Sequence, residues 1–304
     1  MKMQAPLDRW ALSRALTQLA NADPAALAQR PPREPSARPA RRIGITGAPG
    51  AGKSTLVGHL ALARAPRGRL GVLAVDPSSP KSGGAILGDR VRMDELAGNA
   101  QLYIRSLGSR RTGDGLADNL PEMLDLMDEF GFDEVLLETV GVGQAEHAVR
   151  AQVDTLVLVL LPDSGDTVQA MKAGVMEMAD IFVVHKSDLP GAQRMAADIK
   201  RTAALARRAP GEWVAPILLS SATQPASIQA LSEAIDQHLD WHAQAPQGRS
   251  AQLARRARYR LRRLLERRIA QFIGRQDDAF FDAPLERQLA LALDALPLSG
   301  GSPC

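Results

Sequence analysis

Short apolar runs alternate with stretches of helical periodicity from Ile43 to about His238. Each run has the length of a buried strand, whereas the stretches between them place apolar residues three and four positions apart. The predicted strands are Ile43–Thr46, Leu70–Asp76, Leu102–Ile104, Glu134–Glu138, Thr155–Leu161, Ile181–His185 and Pro216–Ser220. This alternation predicts an α/β fold with a mainly parallel sheet and helices on both faces. In such sheets ligands bind at the carboxyl ends of the strands.

The segments on either side of this region carry only helical patterns. Leu7–Leu27 predicts one or two helices, Pro31–Arg41 has the composition of a linker, and the pattern from about Ser250 is purely helical. We therefore predict an N-terminal helical extension and linker at 1–41, an α/β domain at 42–245, and a C-terminal helical arm at 246–304.

A glycine-rich segment follows the first predicted strand and precedes a predicted helix. It consists of Gly47, Ala48, Pro49, Gly50, Ala51, Gly52, Lys53, Ser54 and Thr55. This order fits the phosphate-loop pattern G-x-x-x-x-G-K-[ST], in which backbone N–H groups surround phosphate oxygens. We expect Lys53 to contact the β- and γ-phosphates and the Ser54 hydroxyl to hold Mg²⁺. The context favours a P-loop NTPase over a chance match.

Two acidic residues stand at strand ends, where the ligand edge of the sheet is expected. Asp76 ends the second predicted strand, and Glu138 ends the strand that begins at Glu134. Either acid alone is most simply explained as a turn residue. Two of them downstream of a phosphate loop favour a Mg²⁺ site.

The segment after Glu138 is a candidate nucleotide switch. The N–H of Gly141 is suited to bond the γ-phosphate and to lose that bond on hydrolysis. Lys53, Glu138 and Gln144 are the candidate catalytic residues. Gln144 does not directly follow Gly141, as the water-positioning glutamine of Ras-type GTPases would, and a polar helix start is its alternative explanation. Hydrolysis should therefore be slow without a partner.

The residues His185, Lys186 and Asp188 resemble the guanine-reading motif N-K-x-D. In that motif the Asp accepts two hydrogen bonds that only guanine can donate, so the predicted ligands are GTP and GDP. His185 replaces the Asn, which predicts weaker affinity with the selectivity retained. Ser221 and Ala222 resemble the last GTPase loop, where a backbone N–H meets guanine O6.

Composition narrows the class of protein. The chain has 304 residues, of which 45% are hydrophobic, enough for a large core. No apolar run approaches the roughly 18 residues of a membrane span, so we expect no membrane partner. The only cysteine is Cys304, which excludes internal disulfides and cysteine-based metal sites and favours a reducing, cytoplasmic location.

Arginines concentrate between Arg255 and Arg268, although the net charge of the chain is only +3. A nucleic-acid or membrane surface is one interpretation. Apolar residues recur at helical spacing in the same region, namely Leu253, Ala257, Leu261, Leu264, Leu265 and Phe272. We favour an amphipathic helix with a solvated arginine face and an apolar packing stripe, and expect no nucleic-acid partner. The stripe is larger than one helix hides, which predicts a homodimer through the C-terminal helices.

Several segments together resemble one family. Asp76–Pro80, Gly83–Arg90 and Glu138–Gln144, with the phosphate loop, are similar to the MeaB/ArgK family, the P-loop GTPases associated with methylmalonyl-CoA mutase. The likeness extends from about Leu7 to Phe272. Its members are homodimers that protect an adenosylcobalamin-dependent acyl-CoA mutase and gate loading of its cofactor.

The resemblance also assigns roles to residues. It implies that Ser54, Asp76, Asp89 and Glu138 form the Mg²⁺-linked set and that Asp163–Lys172 is a third switch that contacts the mutase. A cobalamin adenosyltransferase is a further implied partner. The chain departs from the family at several switch positions, including Ala85 where Ser is usual and Val91 where Thr is usual.

Two other functions stay open. A metallochaperone-type GTPase would need a cluster of Cys and His ligands. His238 and His242 lie one helical turn apart, but no third ligand accompanies them, so a packing or surface role is favoured. The other alternative is a signalling adaptor that binds nucleotide and hydrolyses it weakly.

Overall fold

The computed structural model describes residues 6–30, 36, 38–77, 99–109, 116–139, 145–162, 175–205, 211–245 and 248–295. Their strands are β1 Arg41–Gly47, β2 Leu70–Pro77, β3 Leu102–Ser109, β4 Glu134–Glu138, β5 Thr155–Leu160, β6 Ile181–His185 and β7 Ile217–Ser220. These form one seven-stranded sheet in the order β3-β2-β4-β1-β5-β6-β7, and every neighbouring pair is parallel. The predicted α/β class is confirmed. Strand β1 lies between β4 and β5, so the segment after β1 lies at the centre of the ligand edge.

Helices cover both faces of the sheet. They are α1 Arg9–Asn21, α2 Pro24–Ala28, α3 Lys53–Arg64, α4 Leu120–Glu129, α5 Ala145–Arg150, α6 Val175–Met178, α7 Ala192–Leu205, α8 Pro225–Gln244, α9 Gly248–Ile273, α10 Asp278–Phe281 and α11 Leu285–Asp294, with a 3-10 turn at Ala65–Arg67. Among these described helices, none is long and apolar enough to cross a membrane.

Strand β4 shows how the two faces are filled. Its buried side chains alternate, because successive residues of a strand point to opposite faces. Val135 and Leu137 pack in the cluster that contains leucines of α1 and α4. Leu136 packs in the cluster built from α3 and α8. The helices predicted on both faces are therefore present.

The prediction of a solvated arginine face on α9 is wrong for part of that face, because some of its arginines form ion pairs within the chain. Arg256 pairs with Asp154 at 2.9 Å, and Arg260 pairs with Asp125 and with Glu122. These carboxylates lie on α4 and before β5, so this part of the arginine face docks on the sheet domain through ion pairs.

The apolar side of α9 is correspondingly exposed. Leu261 is 60% exposed and Leu265 is 39% exposed, whereas Leu264 packs against the main core and Leu253, which is 49% exposed, lines a cleft together with residues of α4. The predicted packing stripe is therefore mostly uncovered within this chain. The division into 1–41, 42–245 and 246–304 stays a prediction.

Candidate nucleotide-binding site

The phosphate loop connects β1 to α3, and its glycines are required by its shape. Gly47 has φ of +146°, and a Cβ there would lie 2.0 Å from the carbonyl oxygen of Val159. Gly50 and Gly52 have φ of 79° and 84°, in the left-handed region that favours glycine. The backbone therefore forms the open, glycine-dependent turn that surrounds phosphates in P-loop proteins.

Lys53 is the first residue of α3 and is only 8% exposed. Its Nζ donates hydrogen bonds to the carbonyl oxygens of Gly47 at 2.9 Å and Ala48 at 3.0 Å. The ammonium group is thus held against the phosphate loop, at the N-terminus of a helix. Both the charge and the helix dipole favour an anion at this point.

Ser54 and Glu138 meet because their elements are neighbours in the fold. The last residue of β4, Glu138, is paired in register with Ile45 of β1. Ser54 Oγ donates to Glu138 Oε1 over 2.6 Å, and the acid is 6% exposed. A hydroxyl and a carboxylate oxygen at the phosphate loop are the donors that Mg²⁺ prefers, so these two residues fit a Mg²⁺ ion.

The predicted guanine-reading residues lie at the ends of β6 and β7. Asp188 Oδ1 accepts a hydrogen bond from Ser221 Oγ at 2.7 Å, and this bond lowers the pKa of the Asp188 carboxyl. The carboxylate is therefore ionised at neutral pH, as an acceptor of guanine N–H groups must be. Lys186 has φ of 54°, and its Nζ donates to the carbonyl oxygen of Gly50 at 3.0 Å. This contact connects the guanine side to the phosphate loop.

The His185 ring occupies the junction of three loops. It is 1% exposed, and Nδ1 lies 3.3 Å from Ser220 Oγ at the end of β7. A Cβ on Gly52 would lie 2.6 Å from Cδ2 of this ring. Burial lowers the pKa of the His185 imidazole, and the nearby charge of Lys186 lowers it further, so the ring is neutral at pH 7. It packs against the phosphate loop on one side and contacts the last loop on the other.

Some predicted site residues lie outside the described residues. They are Asp89, Gly141, Gln144 and the third-switch segment Asp163–Lys172. Asp76 lies near the end of β2, where it pairs in register with Gly108 of β3. Strand β2 is the neighbour of β4 in the sheet. The Asp76 side chain is not among those that the structure describes.

The sequence analysis missed supporting residues at this edge. Ser227 Oγ accepts a hydrogen bond from the Ser221 N–H at 3.2 Å and so fixes the last loop. Thr139 Oγ1 donates to Thr46 Oγ1 at 3.0 Å, which connects the ends of β4 and β1. Thr139 lies in the family-like segment Glu138–Gln144, but the resemblance assigns it no role there. Ser227 belongs to no motif, so only the fold identifies either contact.

The histidine pair on α8 has a packing role, as favoured from the sequence. His238 is completely buried, and its Nδ1 lies 2.8 Å from Thr155 Oγ1. Its ring packs edge-on against Trp213, with a centroid distance of 4.9 Å. Within the described part of the chain, no group of three or more His, Cys, Asp or Glu side chains is arranged to hold a metal ion.

Comparison with known proteins agrees with this geometry. The family model described as Methylmalonyl Co-A mutase-associated GTPase MeaB matches residues 12–277. A Pyrococcus horikoshii protein whose name assigns it to the GTPases is 38% identical over 240 residues, which cover 78% of this chain and 74% of that protein. The mouse protein named Methylmalonic aciduria type A homolog, mitochondrial, is 43% identical over 185 residues, 60% of this chain and 45% of the mouse chain.

A solved structure shows the same fold. The crystal structure titled LAO/AO transport system kinase superposes with a TM-score of 0.65 and 24% identity, covering 96% of this chain and 95% of that one. At this identity the likeness concerns the fold alone.

Proposed function

We propose that this chain, which belongs to the MeaB family of methylmalonyl-CoA mutase-associated GTPases, is the GTP-dependent chaperone of an adenosylcobalamin-dependent acyl-CoA mutase. As a member of that family it is a GTPase that binds guanine nucleotides. The proposal extends this to a function: gating the loading of the mutase cofactor and protecting the mutase. Cytoplasmic location and a cobalamin adenosyltransferase as a further partner belong to the same proposal.

One observation supports the nucleotide site above all others. The carboxyl ends of β1, β4, β6 and β7 bring four separate motifs to one edge of the sheet. Lys53 and Ser54 follow β1, Glu138 ends β4, and Asp188 contacts Ser221 between the last two loops. This is the edge at which ligands bind in parallel sheets.

The roles we assign follow from the chemistry of phosphoryl transfer, which depends on positioning and charge stabilisation. Lys53 neutralises charge on the β- and γ-phosphates, and Ser54 and Glu138 hold Mg²⁺. When bound, Mg²⁺ supplies further charge neutralisation on the phosphates. By resemblance, Asp76 and Asp89 complete the Mg²⁺-linked set, while Gly141 and Gln144 respond to the γ-phosphate. In the sequence Gln144 does not directly follow Gly141, as a Ras-type glutamine would, so we expect slow intrinsic hydrolysis.

The function is tested by single-turnover hydrolysis of GTP with and without an adenosylcobalamin-dependent methylmalonyl-CoA mutase. We expect the mutase to raise the rate about fivefold or more, the range of ordinary coupling free energies. Heat-denatured mutase at the same concentration is the control. If native mutase neither changes the rate nor co-sediments with this chain, the chaperone function is wrong. If GTP is bound but not hydrolysed under either condition, the adaptor alternative replaces it.

A prediction for Asp188 tests guanine selection. The Asp188→Asn variant should bind GTP at least about tenfold more weakly, because an amide cannot accept both guanine hydrogen bonds. It should gain relative affinity for xanthosine triphosphate, whose carbonyl replaces the guanine amine. Calorimetric titration of both nucleotides measures the exchange, with the exposed Asp198→Asn variant as the control. Equal binding of ATP and GTP by the wild-type chain would contradict the guanine assignment.

The exposed face of the C-terminal arm supports the proposed homodimer. The helices α10 and α11 contain no buried residue. Leu285, Leu289 and Leu293 of α11 are large apolar side chains, and each is more than half exposed. Leu261 and Leu265 of α9 are exposed as well. Because the arginine side of α9 already docks on its own sheet domain, the apolar side is left for a second copy of the chain.

Replacement of exposed leucines on α9 tests the proposed dimer. Introducing Leu261→Glu together with Leu265→Glu should dissociate the dimer, because truncation of interface hot spots costs about 2 kcal/mol or more each. Sedimentation equilibrium at micromolar concentration measures the mass. The Lys200→Glu variant, exposed on α7, should stay dimeric. A wild-type chain that sediments as a monomer would rule out the arm as an interface.

A further inference from the structure

A cleft of about 640 Å³ lies at the end of the sheet opposite the nucleotide loops. Its walls are formed by α4, by the start of β1, by the turn before β5 and by α9. Its size is that of a small-molecule site. It therefore lies where the sheet domain meets the C-terminal arm, away from the motifs that bind nucleotide.

The side chain of Gln152 in the wall of this cleft lacks hydrogen-bond partners. Gln152 is completely buried, and neither its Nε2 donor nor its Oε1 acceptor is hydrogen bonded to any residue that the structure describes. Buried amide groups nearly always form hydrogen bonds, because a buried amide without a partner loses its bonds to water and gains none in the protein. The unpaired amide can therefore bond a polar group that enters the cleft.

Two arginines that line the same cleft as Gln152 also have unused donors among the described residues. The side chains of Arg42 and Arg256 are 3% and 14% exposed, and the Nε of each has no acceptor. Burial lowers the pKa of the Arg256 guanidinium, and repulsion from Arg42 is the next largest cause. Two positive charges are thus held close together, and each guanidinium has an Nε–H group without an acceptor. A negatively charged oxygen atom would reduce the repulsion and accept hydrogen bonds from these N–H groups.

Five arginines line the cleft against four carboxylates, which are Glu122, Asp125, Asp128 and Glu129. Asp125 and Asp128 already accept from Arg42 at 3.1 and 2.8 Å. Two more arginines, Arg30 and Arg249, line the cleft, and neither forms an ion pair with the residues that the structure describes. The hydrogen-bonding imbalance is therefore an excess of donors and cations.

We propose that this cleft binds a small molecule bearing an oxyanion, either a carboxylate or a phosphate. Its oxygens accept from Arg42, Arg256 and the Gln152 Nε2, while the Gln152 Oε1 accepts from a hydroxyl or amine of the same molecule. Arg30 and Arg249 attract it from solvent. A molecule bound here contacts both the sheet domain and α9. This inference does not depend on the identity of the mutase partner.

The test uses the full chain saturated with a non-hydrolysable GTP analogue and Mg²⁺, so that the β- and γ-phosphate positions of the nucleotide site are both occupied. Malate, a carboxylate that also carries a hydroxyl, and inorganic phosphate are titrated separately, at ionic strength matched with chloride, by calorimetry and by thermal denaturation. We expect at least one of them to bind and to raise the Tm of the wild-type chain. Gln152→Leu and Arg249→Gln should each weaken this binding about tenfold or more, whereas Arg258→Gln on the exposed side of α9 should not.

The ligand-free proteins give an independent result. Gln152→Leu should raise the Tm in the absence of either anion, because it removes two buried unpaired polar atoms while keeping similar volume. A purely structural glutamine would lower it instead. The proposal is overturned if neither anion binds the wild-type chain, if both variants bind like wild type, or if Gln152→Leu lowers the ligand-free Tm.

Discussion

Replacement of Lys53 by alanine is expected to abolish tight GTP binding and leave the fold intact. The ammonium is held at the phosphate loop by the carbonyl oxygens of Gly47 and Ala48, in a site that is 8% exposed. A charge-assisted contact to phosphate in so desolvated a position contributes about 2–5 kcal/mol. Calorimetric titration with GTP measures the loss, and circular dichroism checks the fold.

The exposed Lys200→Ala variant on α7 is the matched control, since it removes the same charge elsewhere on the surface. It should bind GTP like the wild-type chain. Near-normal GTP affinity in Lys53→Ala would contradict the phosphate-loop assignment as a whole. Lys53 is also the first residue of α3, so its replacement could disturb the start of that helix. Thermal denaturation without nucleotide is therefore needed to separate a lost contact from a disturbed helix start.

The sheet was predictable because its strands are apolar runs bounded by polar turns. The length of strand β3 was not predicted, because the strand expected at Leu102–Ile104 extends to Ser109. Arg105 interrupts the apolar run in the sequence. In the structure its guanidinium donates to Ser13 and Thr17 of α1, which compensates for a polar residue in the strand. Such a long-range pair has no local signal.

The orientation of α9 was not predictable for a related reason. Helical periodicity shows that a helix has two faces, but the choice of the packed face depends on the surface it meets. Here that surface carries Glu122, Asp125 and Asp154, so arginines rather than leucines dock on it. The exposure of Leu261 follows from that choice. Sequence periodicity alone therefore gave the stripe but not its partner.

At the nucleotide site the motifs were predictable and their supports were not. Fixed spacing identifies Lys53, Ser54 and Asp188, because the phosphate loop and the guanine motif each require particular residue types in order. The contact of the His185 ring with Gly52 depends on how β6 is placed beside β1 and β5. That placement is a property of the whole sheet.

Arg64 was missed by the sequence analysis, and its replacement should have the largest effect on stability. It falls on the buried side of α3, in line with Leu56 and Leu60, and is 1% exposed. Its guanidinium donates to both Glu134 oxygens at 2.7 Å and to Asp236 at 2.8 Å. Arg64→Ala would leave the buried Glu134 carboxylate with the half-exposed Arg41 as its remaining described ion-pair partner, which should cost about 3 kcal/mol. Urea denaturation measures the free energy of unfolding.

The same ion pair also positions the nucleotide site. Helix α3 carries Ser54 near its start and Arg64 at its end, while β4 carries Glu134 at its start and Glu138 at its end. The two elements are therefore joined at both ends, so Arg64→Ala should also weaken binding of GTP with Mg²⁺. Arg67→Ala removes a partly exposed partner of Asp236 and should cost about 1 kcal/mol or less. If Arg64→Ala unfolds at the same urea concentration as Arg67→Ala, the buried pair does not hold α3 against β4.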